Sequence, residues 1–143
     1  MKTAADVLKS KPHQSVYTIT PAASVLDALK LMADKDIGAL LVMDGDKVAG
    51  IVTERDYARK IALMSRTSAQ TAVRDIMTAT VICVRPTQTT EDCMVLMTEH
   101  RLRHLPIMEG SELLGLISIG DLVKDIISEQ KYIIEQLEQY ISG

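Results

Sequence analysis

The chain has no phenylalanine and no tryptophan, and four tyrosines are its only aromatic residues. Its interior must therefore be built from Ile, Val, Leu and the eight methionines, which the 47% apolar content supplies. Cysteine is nearly absent as well. Cys83 and Cys93 form no CxxC pair and no disulfide framework. They read as ordinary buried thiols of a protein in a reducing compartment. Charge of one sign is missing too. The net charge of -3 mixes both signs, and with no long basic run, nucleic-acid binding has weak support. No window approaches the roughly 18 uninterrupted apolar residues of a membrane span, and the first fifteen residues carry no apolar signal core. These absences lead us to expect a cytoplasmic protein with no membrane partner. The length of 143 residues fits one compact domain or two small repeats sharing a core.

The chain does contain a pattern written twice. GIVTERD (50–56) returns 65 residues later as GLISIGD (115–121). The offset holds without a gap over residues 15–62 and 80–127. It gives 11 identities in 48 pairs, among them Pro21/Pro86, Asp27/Asp92, Gly45/Gly110, Gly50/Gly115 and Asp56/Asp121, too many for chance. Each copy predicts the same order of elements. A short β-rich run (16–20, 81–85) is closed by a proline. A helix follows, starting near Val25 or Thr90 and capped by Ser24 or Thr89. Two apolar runs then flank a tight acidic-Gly turn, the signature of a hairpin. A hydroxyl residue, Thr53 or Ser118, ends the hairpin, and a second helix starts. The expected fold class is mixed α/β (α+β), two β-α-β-β-α repeats packed with pseudo-two-fold symmetry. A single repeat of some fifty residues would be marginal alone.

We expect the first repeat and its lead-in over residues 1–66, the second over 67–128, and a helical tail over 129–143. The segment AADVL (4–8) echoes VRDIM (73–77), at a different offset from the main repeat. In the tail, Ile126, Ile127, Ile133, Ile134, Leu137 and Ile141 recur at helical spacing. Such a small chain cannot easily cover that stripe, which points to a homodimer.

The doubled motif has a chemical reading and a structural one. A glycine at the end of an apolar strand lets a ligand or a neighbouring element approach the backbone. An aspartate three residues after Ser or Thr can accept both hydrogen bonds of a vicinal diol such as ribose. The N–H groups at a helix start favour an anion. Equally, Thr53 and Ser118 can be plain helix caps, and Asp56 and Asp121 can be acidic first-turn residues.

The doubled G-h-h-[ST]-x-x-D, the proline after each first strand, the acidic-Gly hairpins and HLPI (104–107) together resemble a tandem pair of CBS domains, regulatory modules named after cystathionine β-synthase. The phrases GIVTERDYARKI (50–61) and RHLPIMEGSELLGLISIGDLV (103–123) resemble those of stand-alone bacterial CBS-pair proteins. The resemblance covers residues 1 to about 128. It implies two clefts between opposed repeats, many of which bind AMP, ADP, ATP, NAD or S-adenosylmethionine, and an output that regulates a partner. Asp56 and Asp121 are then the implied ribose-diol ligands, with Thr53 and Ser118 their hydroxyl partners. Ser15, Val16 and Tyr17, and Thr80 to Ile82, match the strand-entry segment whose backbone reads adenine. Ala39 and His104 match the start of the following strand, and Pro106 lies in the strand flanking the second cleft. Arg55, Arg59, Lys60 and Lys124 fall where phosphate contacts are common. Arg101, Arg103 and His104 have no basic counterparts in the first repeat and form a candidate phosphate cluster. Their alternative role is a solvated helix end. His13 and His100 read as surface residues.

No catalytic constellation appears. There is no HExxH, GxSxG, Walker A or GxGxxG, and the acidic pairs Asp44/Asp46 and Glu109/Glu112 belong to turns. The expected activity is therefore not enzymatic. It is an adenine-nucleotide-binding regulatory module without a tightly bound cofactor, whose output passes to a separate, unidentified protein. The competing expectation is a structural or interaction protein with unoccupied clefts.

Overall fold

The computed structural model describes residues 2–11 and 16–142. His13 and Ser15 lie outside them. The chain is a mixed α/β protein, with five α-helices and two small sheets among the described residues, and it divides into two compact units. One unit is residues 15–82, and the other joins residues 1–14 to 83–143.

In the 15–82 unit, β1 (Thr18–Ile19) runs parallel to β2 (Ala39–Asp44), which pairs antiparallel with β3 (Lys47–Thr53). Helix α2 (Val25–Lys35) connects the first two strands. It starts where the Ser24 hydroxyl accepts the Asp27 N–H, as expected from sequence, and stops where Asp36 turns left-handed at φ 54°. Its buried face, Val25, Ala28 and Met32, packs with Leu40, Val42 and Val52 of the sheet and with Ile61, Val73 and Ile76. Alternation along β3 leaves Gly50 and Val52 buried, which faces that side of the strand inward.

The other unit repeats the scheme with α4 (Thr90–His100), capped by Thr89, and the hairpin β4 (His104–Glu109) and β5 (Glu112–Ser118). Both hairpins turn through a two-residue loop whose glycine has positive φ, 62° at Gly45 and 60° at Gly110. Glycine enters that conformation without the Cβ penalty that other residues meet. Both hairpins also carry a register shift at the same repeat position, Val42/Met43 and Ile107/Met108.

The two copies differ in their first strand. The expected strand at 81–85 reduces to a single parallel bridge, Val84↔Ile107. Its partner strand holds Pro106 where β2 holds Leu41, and proline has no N–H to extend the ladder. Beyond the bridge, the Arg85 N–H turns to the Gln88 side chain at 2.8 Å. Cys93 is buried as expected. Cys83 is exposed, as is Thr18 at the equivalent position of the first repeat, so it is not the buried thiol expected.

Helix α1 (Ala4–Ser10) sits in the compact unit of the second hairpin, and residues 67–82 in that of the first. Backbone hydrogen bonds place them there. The N–H groups of Ala4 and Ala5 donate to Gln88 O and Pro86 O. One offset later, those of Val73 and Arg74 donate to Ala23 O and Pro21 O. The echo between 4–8 and 73–77 is thus a real structural repeat.

These lead-ins answer why each motif opens with glycine. A Cβ on Gly115 would lie 2.5 Å from Leu8 Cδ1, and one on Gly50 would lie 2.7 Å from both Met77 Sδ and the Thr78 carbonyl oxygen. Leu8 and Met77 are equivalent in the echo. The glycines admit protein, and the structural role is met whether or not a ligand comes near.

The remaining helices leave from the hairpins. Helix α3 (Glu54–Tyr57) runs into a π-helical turn, Ala58–Ala62. Helix α5 (Ile119–Ser142) is one continuous rod of 24 residues that carries the tail. Leu122 and Asp125 are buried in its first part, and every described residue from Ile127 onward is exposed.

Overpacking at a close approach costs about 1–3 kcal/mol, less where a flexible side-chain end can yield. Gly50→Ala must displace a backbone carbonyl, whereas Gly115→Ala meets only the tip of Leu8. Urea unfolding of both variants should show the larger loss at Gly50. An equal or larger loss at Gly115 would contradict this account.

Candidate functional site

Each candidate site starts where an inward-alternating strand gives way to a helix. Thr53 has extended backbone, φ -127° and ψ 163°, and is the N-cap of α3. Its hydroxyl accepts the Asp56 N–H at 3.1 Å. Asp56 Oδ2 answers by accepting the Thr53 N–H at 3.0 Å and the Thr53 hydroxyl at 3.1 Å. This reciprocal pair satisfies two N–H groups that the helix start would otherwise leave bare. Ser118 and Asp121 do the same. Asp121 Oδ2 accepts the Ser118 N–H at 2.8 Å, and the Asp121 N–H donates to the Ser118 hydroxyl at 3.1 Å.

The structural role of the motif aspartates is therefore established. The same box also forms at Thr3/Asp6 and Thr89/Asp92, where all its hydrogen bonds are exposed. A hydroxyl and an aspartate three apart thus mark a helix start anywhere in this chain. At Asp56 and Asp121 the box is partly buried, and each carboxylate has a lysine ammonium in ion-pair distance. Lys60 Nζ lies 3.4 Å from Asp56 Oδ1 and donates to Ile76 O at 2.8 Å. Lys11 Nζ lies 3.1 Å from Asp121 Oδ2 and donates to Leu116 O at 2.8 Å. Burial pushes the Asp121 carboxyl up. The Ser118 N–H, the hydrogen bond and charge of Lys11, and the Ser118 hydroxyl together outweigh it and hold the group below the usual carboxylate range.

Lys11 escaped the sequence reading because 110 positions separate it from Asp121. The available signal was the echo: at the offset that pairs Leu8 with Met77, Lys11 pairs with Thr80, itself a candidate.

His104 opens β4 and pairs across the hairpin with Ser118. Burial pushes its imidazole below the ordinary value; the Asp121 charge opposes the shift, and Lys11 and Arg103 reinforce it. The shift favours the uncharged ring. The other members of the candidate phosphate cluster are Arg101 and Arg103. Both are exposed, and Arg101 ends α4 in a left-handed conformation at φ 54°. Pro106 is buried in β4.

The other candidates are more scattered. Arg55 and Lys124 are exposed on α3 and α5. Val16 and Tyr17 are half-buried ahead of β1, and Lys35 sits over the Tyr17 ring at 5.3 Å. Thr80 and Ile82 lie in the irregular segment after the 3-10 turn Val73–Asp75, with Thr80 exposed and Ile82 half-buried. A shallow cleft of ≈ 420 Å³ opens in the 15–82 unit between the end of α2 and the start of α3, lined by Met32, Asp36, Gly38 and Glu54 among others. Asp56 and Thr53 are not part of its lining. Among the described residues, no group of three His, Cys, Asp or Glu could hold a metal, and no helix is long and apolar enough to cross a membrane.

The family model of the CBS domain matches residues 4–63 and again 73–128. The chain belongs to the CBS-domain family, as a tandem pair. It is 39% identical over 149 aligned residues to the mitochondrial CBS domain-containing protein CBSX3 of Arabidopsis thaliana, covering 99% of this chain and 72% of that protein. Among solved structures it resembles a signal-transduction protein with CBS domains from Burkholderia ambifaria, at 60% identity and a TM-score of 0.87, covering 90% of this chain and 96% of that one. It also resembles CBSX2, solved in complex with AMP, at 26% identity and a TM-score of 0.74, covering 90% and 98%.

Proposed function

We propose that the protein is a regulatory module that binds an adenine nucleotide, namely AMP, ADP, ATP, NAD(H) or S-adenosylmethionine. Occupancy would signal cell energy or redox state to a separate protein, with no reaction catalysed by this chain. The observation that carries the reading is the pair of motif aspartates. Each is held by its cap at a strand-to-helix junction, and at Asp121 one carboxylate oxygen is left over. Among the described residues, no hydrogen bond reaches Asp121 Oδ1. A carboxylate so held is an acceptor for a ribose hydroxyl at little ordering cost. The AMP complex of CBSX2 supports the ligand class. Arg103, exposed beside His104, is the assigned phosphate reader.

The competing reading, a structural protein with unoccupied sites, has its own support. The boxes at Thr3/Asp6 and Thr89/Asp92 show that the motif can serve a helix start alone. Isothermal titration with the six ligands separates the two. Binding of at least one is expected, and Arg103→Ala should weaken AMP about tenfold or more while leaving adenosine nearly unchanged. Equal losses for both ligands would remove Arg103 from phosphate recognition. No binding of any ligand to the wild type would favour the structural reading.

We also propose a homodimer of CBS modules. Ile133, Ile134, Leu137 and Ile141 are 50%, 53%, 56% and 83% exposed on α5, an apolar surface that association would bury. Sedimentation equilibrium should give twice the chain mass. A mass staying at 15.7 kDa up to millimolar concentration would refute the dimer.

A further inference from the structure

The two motif aspartates each face an ammonium group, yet the two lysines come from unrelated places in the repeat. Lys60 stands four residues after Asp56, on the helical stretch that Asp56 begins. The position equivalent to Lys60 in the second repeat, 65 residues on, is Asp125, so that helix cannot supply the cation. Lys11 supplies it instead, arriving from the lead-in just after α1. It repeats the bonding of Lys60, one contact to the motif carboxylate and one to a backbone carbonyl. Asp125 is itself held by the other end of the same lead-in, with Lys2 Nζ 2.9 Å from its Oδ1. Lysines flanking α1 thus fasten it to two carboxylates of α5, and one of these is the candidate ligand residue.

The geometry points to Lys11 as a ligand-reading residue of the Asp121 site, one that recognises a vicinal diol together with the aspartate. This rests on the nucleotide-binding reading above. A lysine ammonium has three donors. Among the described residues, Lys11 gives one to Leu116 O, and its Nζ forms an ion pair with Asp121 Oδ2 at 3.1 Å. A further N–H of the ammonium and Asp121 Oδ1, which receives no hydrogen bond among the described residues, then form a donor and an acceptor on adjacent groups. A diol matches them: one hydroxyl donates to Oδ1 while the neighbouring oxygen accepts from the ammonium. Asp56 offers less, since Thr53 occupies its Oδ2 and Lys60 its Oδ1. The side chain of Lys11 is only 24% exposed and is tied to Leu116 O and Asp121, which lowers the cost of ordering it for a ligand.

The test compares AMP with 2′-deoxy-AMP, which lacks one diol oxygen. Titrations are run on the wild type, Lys11→Met, Lys11→Arg, Lys2→Met and Asp121→Ala. The wild type should prefer AMP. Lys11→Met should lose that preference at the site that Asp121→Ala removes, with AMP affinity down about tenfold to a hundredfold. Lys11→Arg keeps a donor there and should retain most of it. Lys2→Met loosens the lead-in from its other end and should lower the melting temperature without changing the preference. A wild-type preference in Lys11→Met, or an equal loss in Lys2→Met, would overturn the assignment and leave the nucleotide reading standing. If the wild type shows no AMP binding sensitive to Asp121→Ala, the nucleotide reading of this site fails, and the role of Lys11 fails with it.

Discussion

The reciprocal hydrogen bonds between hydroxyl and carboxylate at Thr53/Asp56 and Ser118/Asp121 are the constraint on which the site depends. They do two jobs with one pair of side chains. A helix beginning at the end of a strand leaves N–H groups without partners, and the box satisfies two of them, worth about 1 kcal/mol at a helix start. Holding Oδ2 against the backbone also fixes the direction of Oδ1. Any ligand chemistry at Asp121 therefore uses a carboxylate whose orientation has already been set by folding.

The lead-in segments build the rest of each site. They reach their hairpins because Gly50 and Gly115 leave room for Met77 and Leu8. That approach sets residues 73–78 beside β3 and α1 beside β5, through Ile51↔Thr78 in one unit and the Gly115–Leu8 contact in the other. Ile76 O then falls within reach of Lys60, and Lys11 within reach of Asp121. Glycine, lead-in and lysine form one chain of dependence in both copies, although the second copy takes its lysine from the lead-in.

Much of this was legible in the sequence because it is local. The caps at Ser24 and Thr89, the glycine turns and the hairpins follow from residue types at fixed short spacing, and the 65-residue offset makes each copy a check on the other. What was not legible depends on partners far away in the chain. The strand at 81–85 looked as β-rich as its counterpart, but its partner strand carries Pro106. The lead-in at 4–8 sends its backbone hydrogen bonds to residues 86 and 88, more than eighty positions away. In sequence His104 groups with Arg101 and Arg103 as a candidate phosphate cluster, and burial, invisible there, pushes its imidazole below the ordinary value. Lys11 could be found only by taking the lead-in echo as seriously as the main repeat.

The central claim is that the caps at 53–56 and 118–121 are ligand sites as well as helix starts. An amide chemical-shift titration with AMP tests it most directly, because the chain carries its own control. The box at Thr89/Asp92 has the same chemistry with its hydrogen bonds exposed. The account predicts saturable shifts of the amides of 118–122, with or without those of 53–57, while those of 89–93 stay still. Shifts that are absent at both motif sites, or equally large at 89–93, would contradict it.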